Sequence, residues 1–358
     1  MKVYNFSAGP SILADWVKEE AQRQFVDYCG CGMSVVEMSH RSAQYAPIHQ
    51  EAKTLLKELM NVPDDYEILF LQGGASTQFA MVPLNLMTSG KADYVLTGHF
   101  AEKALSEAQK YGDAVAVGSS REAGYTYIPD VDSLACRKEA DYLHITSNNT
   151  IFGTHYTRYP QNKCLVADMS SEILSAPVDV SQFGLIYAGA QKNIAPAGVT
   201  IVIVRKDLLG NARPVCPTML DYAVHAKADS LYNTPPVFCI YMAMLTFRWL
   251  KSLGGLQTMA EINRDKAAML YDYIDESGFY VNPVQKEYRS LMNVPFVTPN
   301  KDLDAQFVKE AAAQGLVSLK GHRLVGGMRA SIYNAMPVEG VKSLVAFMQK
   351  FAKEHRND

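Results

Sequence analysis

The chain has 358 residues, 48% of them hydrophobic and 20% charged. That mix excludes a disordered chain, a collagen-like chain and a coiled coil, and the length allows about two domains with substantial cores. The formal net charge is −3, from 34 Lys+Arg against 37 Asp+Glu, so no general basic excess is available for nucleic acid, although a local basic cluster is left open.

Residues 15–28 predict an amphipathic helix, with Trp16, Val17, Ala21, Phe25 and Val26 apolar. Val35-Val36-Glu37-Met38 is strand-like and leads to His40-Arg41. A second helix opens at Ala46-Pro47, runs to about Met60 and is broken by Asn61-Val62-Pro63-Asp64-Asp65. Residues 67–71 form a buried-strand signal that runs into Gly73-Gly74-Ala75-Ser76-Thr77, and a helix follows to about Met87. Six more strand candidates cover residues 94–96, 114–117, 142–145, 164–167, 185–187 and 199–204. Most are short, apolar and β-branched, with helical or polar segments between them. The pattern predicts an α/β fold whose mainly parallel, seven-stranded sheet is covered on both faces.

After Asn233-Thr234-Pro235-Pro236 a long helix is expected over residues 237–253, ended by Gly254-Gly255. Beyond it the pattern changes to a helix at 259–276, short strands at 292–297 and 327–332, and helices at 303–314 and 338–355. We therefore expect a large domain over residues 1–255 and a smaller α+β domain over residues 256–358. The N-terminal segment is left free to pack with the smaller one.

The segment Met1 to Ser7 lacks an apolar signal core, and no apolar run approaches the roughly 18 residues of a membrane span. The six cysteines are scattered. The close pair Cys29-Gly30-Cys31 reads as unlinked thiols in a loop, and sparse cysteine suits a reducing compartment. The expectation is a cytoplasmic enzyme with neither membrane nor nucleic acid as partner, and with no metal site.

Three elements point to one chemistry. The glycine turn at 73–77 joins a strand to a helix, where free N–H groups and the helix dipole favour a phosphate. It lacks the lysine of a P-loop and the spacing of a dinucleotide fingerprint, and a plain tight turn would look the same. Ser76 and Thr77 could add hydroxyl donors. Asp168 follows the apolar run 164–167, which puts a carboxylate at the carboxyl end of a buried strand. Such a group is costly unless paired, and a cationic ring nitrogen would suit it, as would a helix-capping role. Lys192 lies among small residues just past another strand end, where desolvation would lower its pKa and allow Schiff-base chemistry. A phosphate cup, an acid and an anchoring amine together suggest pyridoxal phosphate. Phe100, after the strand at 94–96, could cover the ring, or could be core packing. His40-Arg41, the cluster Lys320-Gly321-His322-Arg323, and Arg329 beside Gly326-Gly327 supply cations for a substrate with two anionic groups.

With these residues in place, the chain resembles the phosphoserine aminotransferases, fold-type I pyridoxal-phosphate enzymes. The resemblance covers nearly the whole length. It rests on residues 5–10, 37–41 and 79–86, and above all on 187–200 (YAGAQKNIAPAGVT), 232–236 (YNTPP) and 321–337 (GHRLVGGMRASIYNAMP). It implies that Lys192 carries the cofactor and shuttles the proton, and that Asp168 pairs with the ring nitrogen. Ala75, Ser76 and Gln191 would meet the cofactor phosphate, Thr150 the ring oxygen side, and Phe100 the ring face. Asn233 and Thr234 would reach the phosphate of the neighbouring subunit, which implies a homodimer with shared sites. Arg329 would hold the α-carboxylate. His40, Arg41, His322 and Arg323 would bind the distal phosphate or the glutamate side chain. The implied reaction transfers the amino group of L-glutamate to 3-phosphohydroxypyruvate in serine biosynthesis. Activity on the phosphohydroxythreonine intermediate of pyridoxal phosphate synthesis is left open. Some relatives have Trp at the position of Phe100 and Arg at that of Ser76. The changes reduce ring area and remove one cation, which shifts weight onto His322 and Arg323.

Overall fold

A computed structural model describes residues 2–356. In chain order its elements are β1 (Tyr4–Asn5), α1 (Asp15–Gln24), α2 (Tyr45–Met60), β2 (Tyr66–Leu71), α3 (Gly74–Leu86), β3 (Lys91–Leu96), α4 (His99–Ala108) and β4 (Asp113–Ser119). Then come β5 (Leu143–Thr146), β6 (Leu165–Asp168), β7 (Leu185–Gly189), β8 (Thr200–Arg205), α5 (Tyr222–Lys227), α6 (Val237–Ser252) and α7 (Gly255–Ser277). The chain ends with β9 (Asn293–Phe296), α8 (Lys301–Ala313), β10 (Leu316–Val317), β11 (Met328–Ser331) and α9 (Val338–Glu354).

The main sheet has seven strands in the order β2-β8-β7-β6-β5-β3-β4. From β7 through β6, β5 and β3 to β4 every neighbour is parallel, whereas β8 runs antiparallel to both β7 and β2. The central strands are mostly apolar because both faces are covered, while the edge strand β4 is partly exposed. Alternate side chains point to opposite faces, and the two sets enter different cores. Ile68, Phe70, Leu165, Ala167, Ile201 and Ile203 pack with Val17, Ile48 and Ile240 of α1, α2 and α6. Leu69, Leu71, Val166, Val202 and Val204 pack with Met81, Val82, Ala101 and Ala104 of α3 and α4.

A further core is built on α8, α9 and the second half of α7, with Phe296, Phe307, Phe347 and Phe351 buried in it. Helix α7 serves two cores: Leu256 and Met259 belong to the first, Ala267 and Leu270 to this last one. Between these stretches lies Lys266, fully buried. The N-terminal segment joins the same region, since β1 pairs in parallel with β10 and Phe6 is buried in its core. Strand β11 pairs antiparallel with β9.

Two local expectations give way. Residues 35–37 form a 3-10 turn rather than a strand, because Ser34 Oγ accepts the Val36 N–H at 3.3 Å and closes the backbone. Helix α1 ends at Gln24 rather than at residue 28. The chain turns beyond it, with Cys29 at φ 52° and Gly30 at φ 74°. All six cysteines are free thiols. Among the described residues no helix is long and apolar enough to cross a membrane.

Candidate active site

The register of the sheet assembles one edge. Thr146, the last residue of β5, pairs with Asp168, the last of β6, which pairs with Tyr187 of β7. Gly189 at the end of β7 faces Thr200, which faces Leu71 at the end of β2. The loops leaving these ends therefore converge, as ligand-binding loops do at the carboxyl ends of strands in α/β sheets. They enclose a cavity of about 440 Å³, whose walls include Gly73–Ser76, Phe100, Thr150, Asp168, Gln191 and Lys192 from the main sheet and His322 and Arg329 from the region of β11. The size is normal for a small-molecule site.

The glycine turn opens α3. Gly73 has φ 96° and Gly74 φ 66°, both in the left-handed region. A Cβ on Gly73 would fall 2.1 Å from Thr77 Oγ1. The Thr77 hydroxyl donates to Gly73 O at 2.9 Å, so it closes the turn and is not a free donor toward the cavity. Ala75 and Ser76 lie in the first helical turn, where N–H groups have no intrahelical acceptor.

Asp168 is buried, and burial raises its pKa against the opposing help of Ser170 and the Lys192 charge. Its Oδ1 accepts the Ser170 N–H at 2.9 Å, so it caps a turn. No ion pair to Asp168 occurs among the described residues. Protein atoms surround Lys192, whose side chain still borders the cavity. Burial lowers its amine to about 8, opposed by Asp168 and assisted by Arg329. Lys192 Nζ donates to Thr150 Oγ1 at 2.6 Å and sits 5.7 Å from the Phe100 ring centroid. The N-terminal segment lies over this loop: Ser11 N donates to Gln191 O at 3.0 Å, and the Ser11 hydroxyl donates to Lys192 O.

Arg329 reaches in from β11. Its Nη1 donates to Thr150 O at 3.2 Å, while its buried Nε has no partner among the described residues, and burial lowers its pKa. Burial also lowers the His322 pKa, with further lowering from Arg329, His99, Arg323 and Lys103.

The remaining expected residues lie elsewhere. Arg323 is exposed and, with Lys320, lines a separate cavity of about 530 Å³ that shares His322. Asn233 donates to Gln72 Oε1 at 3.3 Å and lines a cavity of about 220 Å³ on the outer side of the Gly73 turn; Thr234 is exposed. His40 is half-buried, its Nε2 without a partner among the described residues, and Arg41 is exposed; neither lines the 440 Å³ cavity. Residues that the sequence did not single out also form the walls: Ala8, Gly9, Thr146, Asn148, Ser170 and Ser171. Asn148 is fixed by hydrogen bonds to Ser171 at 2.8 Å and Asn293 at 2.9 Å. The segment 5–10 was visible as a motif, without a role.

The cavity fits pyridoxal phosphate on its own chemistry. It has free N–H groups for a phosphate, a buried carboxylate with no ion pair among the described residues, a lowered amine, an aromatic face, and an orphaned guanidinium nitrogen for a carboxylate.

The comparisons with known proteins agree. The aminotransferase class-V family matches residues 3–344. A phosphoserine aminotransferase of Bacillus cereus is 56% identical over 358 residues, 99% of each chain. The solved phosphoserine aminotransferase of Bacillus circulans subsp. alkalophilus is 48% identical, with a TM-score of 0.97 over 99% of both chains. A PLP-bound phosphoserine aminotransferase from Trichomonas vaginalis is 38% identical, with a TM-score of 0.94 over 97% of this chain and 100% of that one. With its sheet, its cavity and its sequence in agreement over nearly the whole length, the chain belongs to the phosphoserine aminotransferase family, within the class-V aminotransferases.

Proposed function

We propose that the chain transfers the amino group of L-glutamate to 3-phosphohydroxypyruvate, giving O-phospho-L-serine and 2-oxoglutarate, with pyridoxal 5′-phosphate as cofactor. The observation that carries this reading is the placement of Lys192, Asp168 and Arg329 around one cavity. Bound pyridoxal phosphate supplies an aldehyde carbon and an electron-withdrawing ring that takes up the electron pair left on the substrate α-carbon.

The residues do the rest. The α3 N-terminus, with Ala75, Ser76 and Gln191, would hold the phosphate, and Phe100 the ring face. Asp168 would hold a proton on the ring nitrogen. Lys192 Nζ would take the proton from the substrate α-carbon and give it back as an acid; a pKa near 8 leaves roughly a tenth of the amine neutral at pH 7. Thr150 Oγ1 fixes Nζ. Among the described residues Arg329 Nε and Nη2 are free to grip the α-carboxylate, and His322 would face a distal anion from the cavity wall, with the exposed Arg323 beside it in sequence. Cysteine desulfuration is disfavoured, since among the described residues no cysteine lines the cavity.

The chain acts as a homodimer in this reading. Asn233, Thr234, His40 and Arg41 stand clear of their own cavity and would serve the partner's. The region from residue 256 acts as the substrate clamp, because Arg329 and His322 come from it and Lys192 and Asp168 do not. Six free thiols support a cytoplasmic setting.

Replacing the lysine, Lys192→Ala, is the decisive test. The purified protein should be yellow and bleached by hydroxylamine. The variant should lose the cofactor–lysine absorbance and at least about 10³-fold in turnover. Near-wild-type amino transfer by the variant would sink the assignment.

A further inference from the structure

We propose that His99 is a specificity-determining residue for the distal anion of the substrate, acting with His322; this rests on the aminotransferase reading above. His99 opens α4 and is half-buried. It is not itself among the residues that line the cavity, but its ring adjoins two that are, with its centroid 5.9 Å from that of Phe100 and 6.5 Å from that of His322. The two imidazoles come from different parts of the chain, one from the start of α4 and one from the loop before β11.

The hydrogen bonds fix what each ring offers. His322 Nδ1 accepts the Leu324 N–H at 3.3 Å. The proton of a neutral His322 is therefore on Nε2, which is left as a donor. His99 Nδ1 lies 3.7 Å from Glu102 Oε2 and forms an ion pair with it when protonated. Glu102 is itself held by Arg121 and by the Tyr125 hydroxyl, so its charge is already shared. The His99 Nε2 edge has no partner among the described residues. The other charges acting on His322 are Arg329, Arg323 and Lys103, all cationic. With His99 protonated, so that Nδ1 faces Glu102 and Nε2 also donates, an anionic oxygen accepting from both rings at about 2.8 Å each bridges the gap between them in a bent arrangement. The dianionic phosphate gains more from this bracket than a monoanionic carboxylate does.

The test uses the holoenzyme with His99→Ala and His99→Gln. The readouts are KM and kcat for 3-phosphohydroxypyruvate, KM for glutamate, and inhibition by inorganic phosphate. The Ala variant should raise KM for the phosphorylated substrate about tenfold and weaken phosphate inhibition by a similar factor. Its kcat should stay within about twofold and the glutamate KM should rise less; Gln, which keeps an N–H donor, should recover part of the loss. Unchanged phosphate inhibition in the Ala variant would overturn the proposal. So would equal losses for both substrates together with a lowered melting temperature, the mark of a packing role against Phe100. If wild type fails to turn over 3-phosphohydroxypyruvate while phosphate still binds more weakly to the Ala variant, the anion role stands and the substrate reading falls.

Discussion

Two enclosed lysines respond to the same physics and end in different roles. Burial lowers Lys192 to about 8 and Lys266 to about 7. Among the described residues Lys192 has one acceptor, the Thr150 hydroxyl, and it borders the cavity. Lys266 donates to four backbone carbonyls, of Ile332 (3.1 Å), Tyr333 (2.8 Å), Asn334 (3.4 Å) and Met336 (3.1 Å). It gathers the turn that follows β11. Asn334 N in that turn donates to Asn193 Oδ1 at 3.0 Å, next to Lys192, and the Tyr333 hydroxyl donates to Ala8 O at 2.9 Å. A lowered amine is thus no mark of catalysis by itself. What separates the two is unused donor capacity facing open space.

The largest effects should separate cleanly. Lys192→Met should leave the fold intact and remove at least about 10³-fold of turnover. Lys266→Met removes the amine shared by four interior carbonyls, of which Tyr333 O keeps the Met336 N–H at 2.9 Å, so it should cost about 2–4 kcal/mol of stability, read as a lower urea midpoint. If Lys266→Met keeps its urea midpoint, or if Lys192→Met loses it, the contrast between a reactive and a structural lysine fails.

That contrast also shows what sequence can reveal. The seven strands were legible because both-face burial makes them apolar runs, and the charges just after those runs, Asp168 and Lys192, stood out against them. Residues 35–38 misled because their β-branched composition outweighs a turn that one serine hydroxyl closes. Lys266 left no signal, since a lysine in a helix such as α7 looks solvated until the turn at 332–336 folds over it. His99, Asn148 and Ser170 are polar loop or helix-start residues. Their meaning comes from partners far along the chain, such as His322 and Asn293.

The pH dependence of cofactor capture sharpens the comparison next. Only the neutral amine attacks an aldehyde, and Lys192 is neutral above its pKa. Capture of pyridoxal phosphate by apoenzyme should therefore rise with pH, with a midpoint near 8. The Asp168 carboxylate opposes the lowering, so Asp168→Asn should move the midpoint down by about one unit, a change near 1.4 kcal/mol. Asp168 has a raised pKa in the fold. It binds more protons folded than unfolded just above pH 3.8, so stability falls there as pH rises. The Asn variant should lose that slope and gain about 1 kcal/mol at neutral pH in the apoenzyme. A midpoint that stays near 8 in the variant would mean that the carboxylate does not act on the amine.

The smallest effect tests the single acceptor of Lys192. Thr150→Val keeps the side-chain shape and removes the hydroxyl, leaving Nζ free to wander; the loss should be about 1 kcal/mol, near fivefold, in kcat. The backbone carbonyl of residue 150 still accepts from Arg329, so KM for glutamate should hold. A rise in KM with kcat unchanged would show instead that the Thr150 hydroxyl steadies the arginine rather than the amine. No side-chain substitution of this kind exists for Lys266, whose four acceptors are all main-chain. The catalytic lysine is held by a group that a mutation can remove, while the structural one is held by the backbone of its own turn.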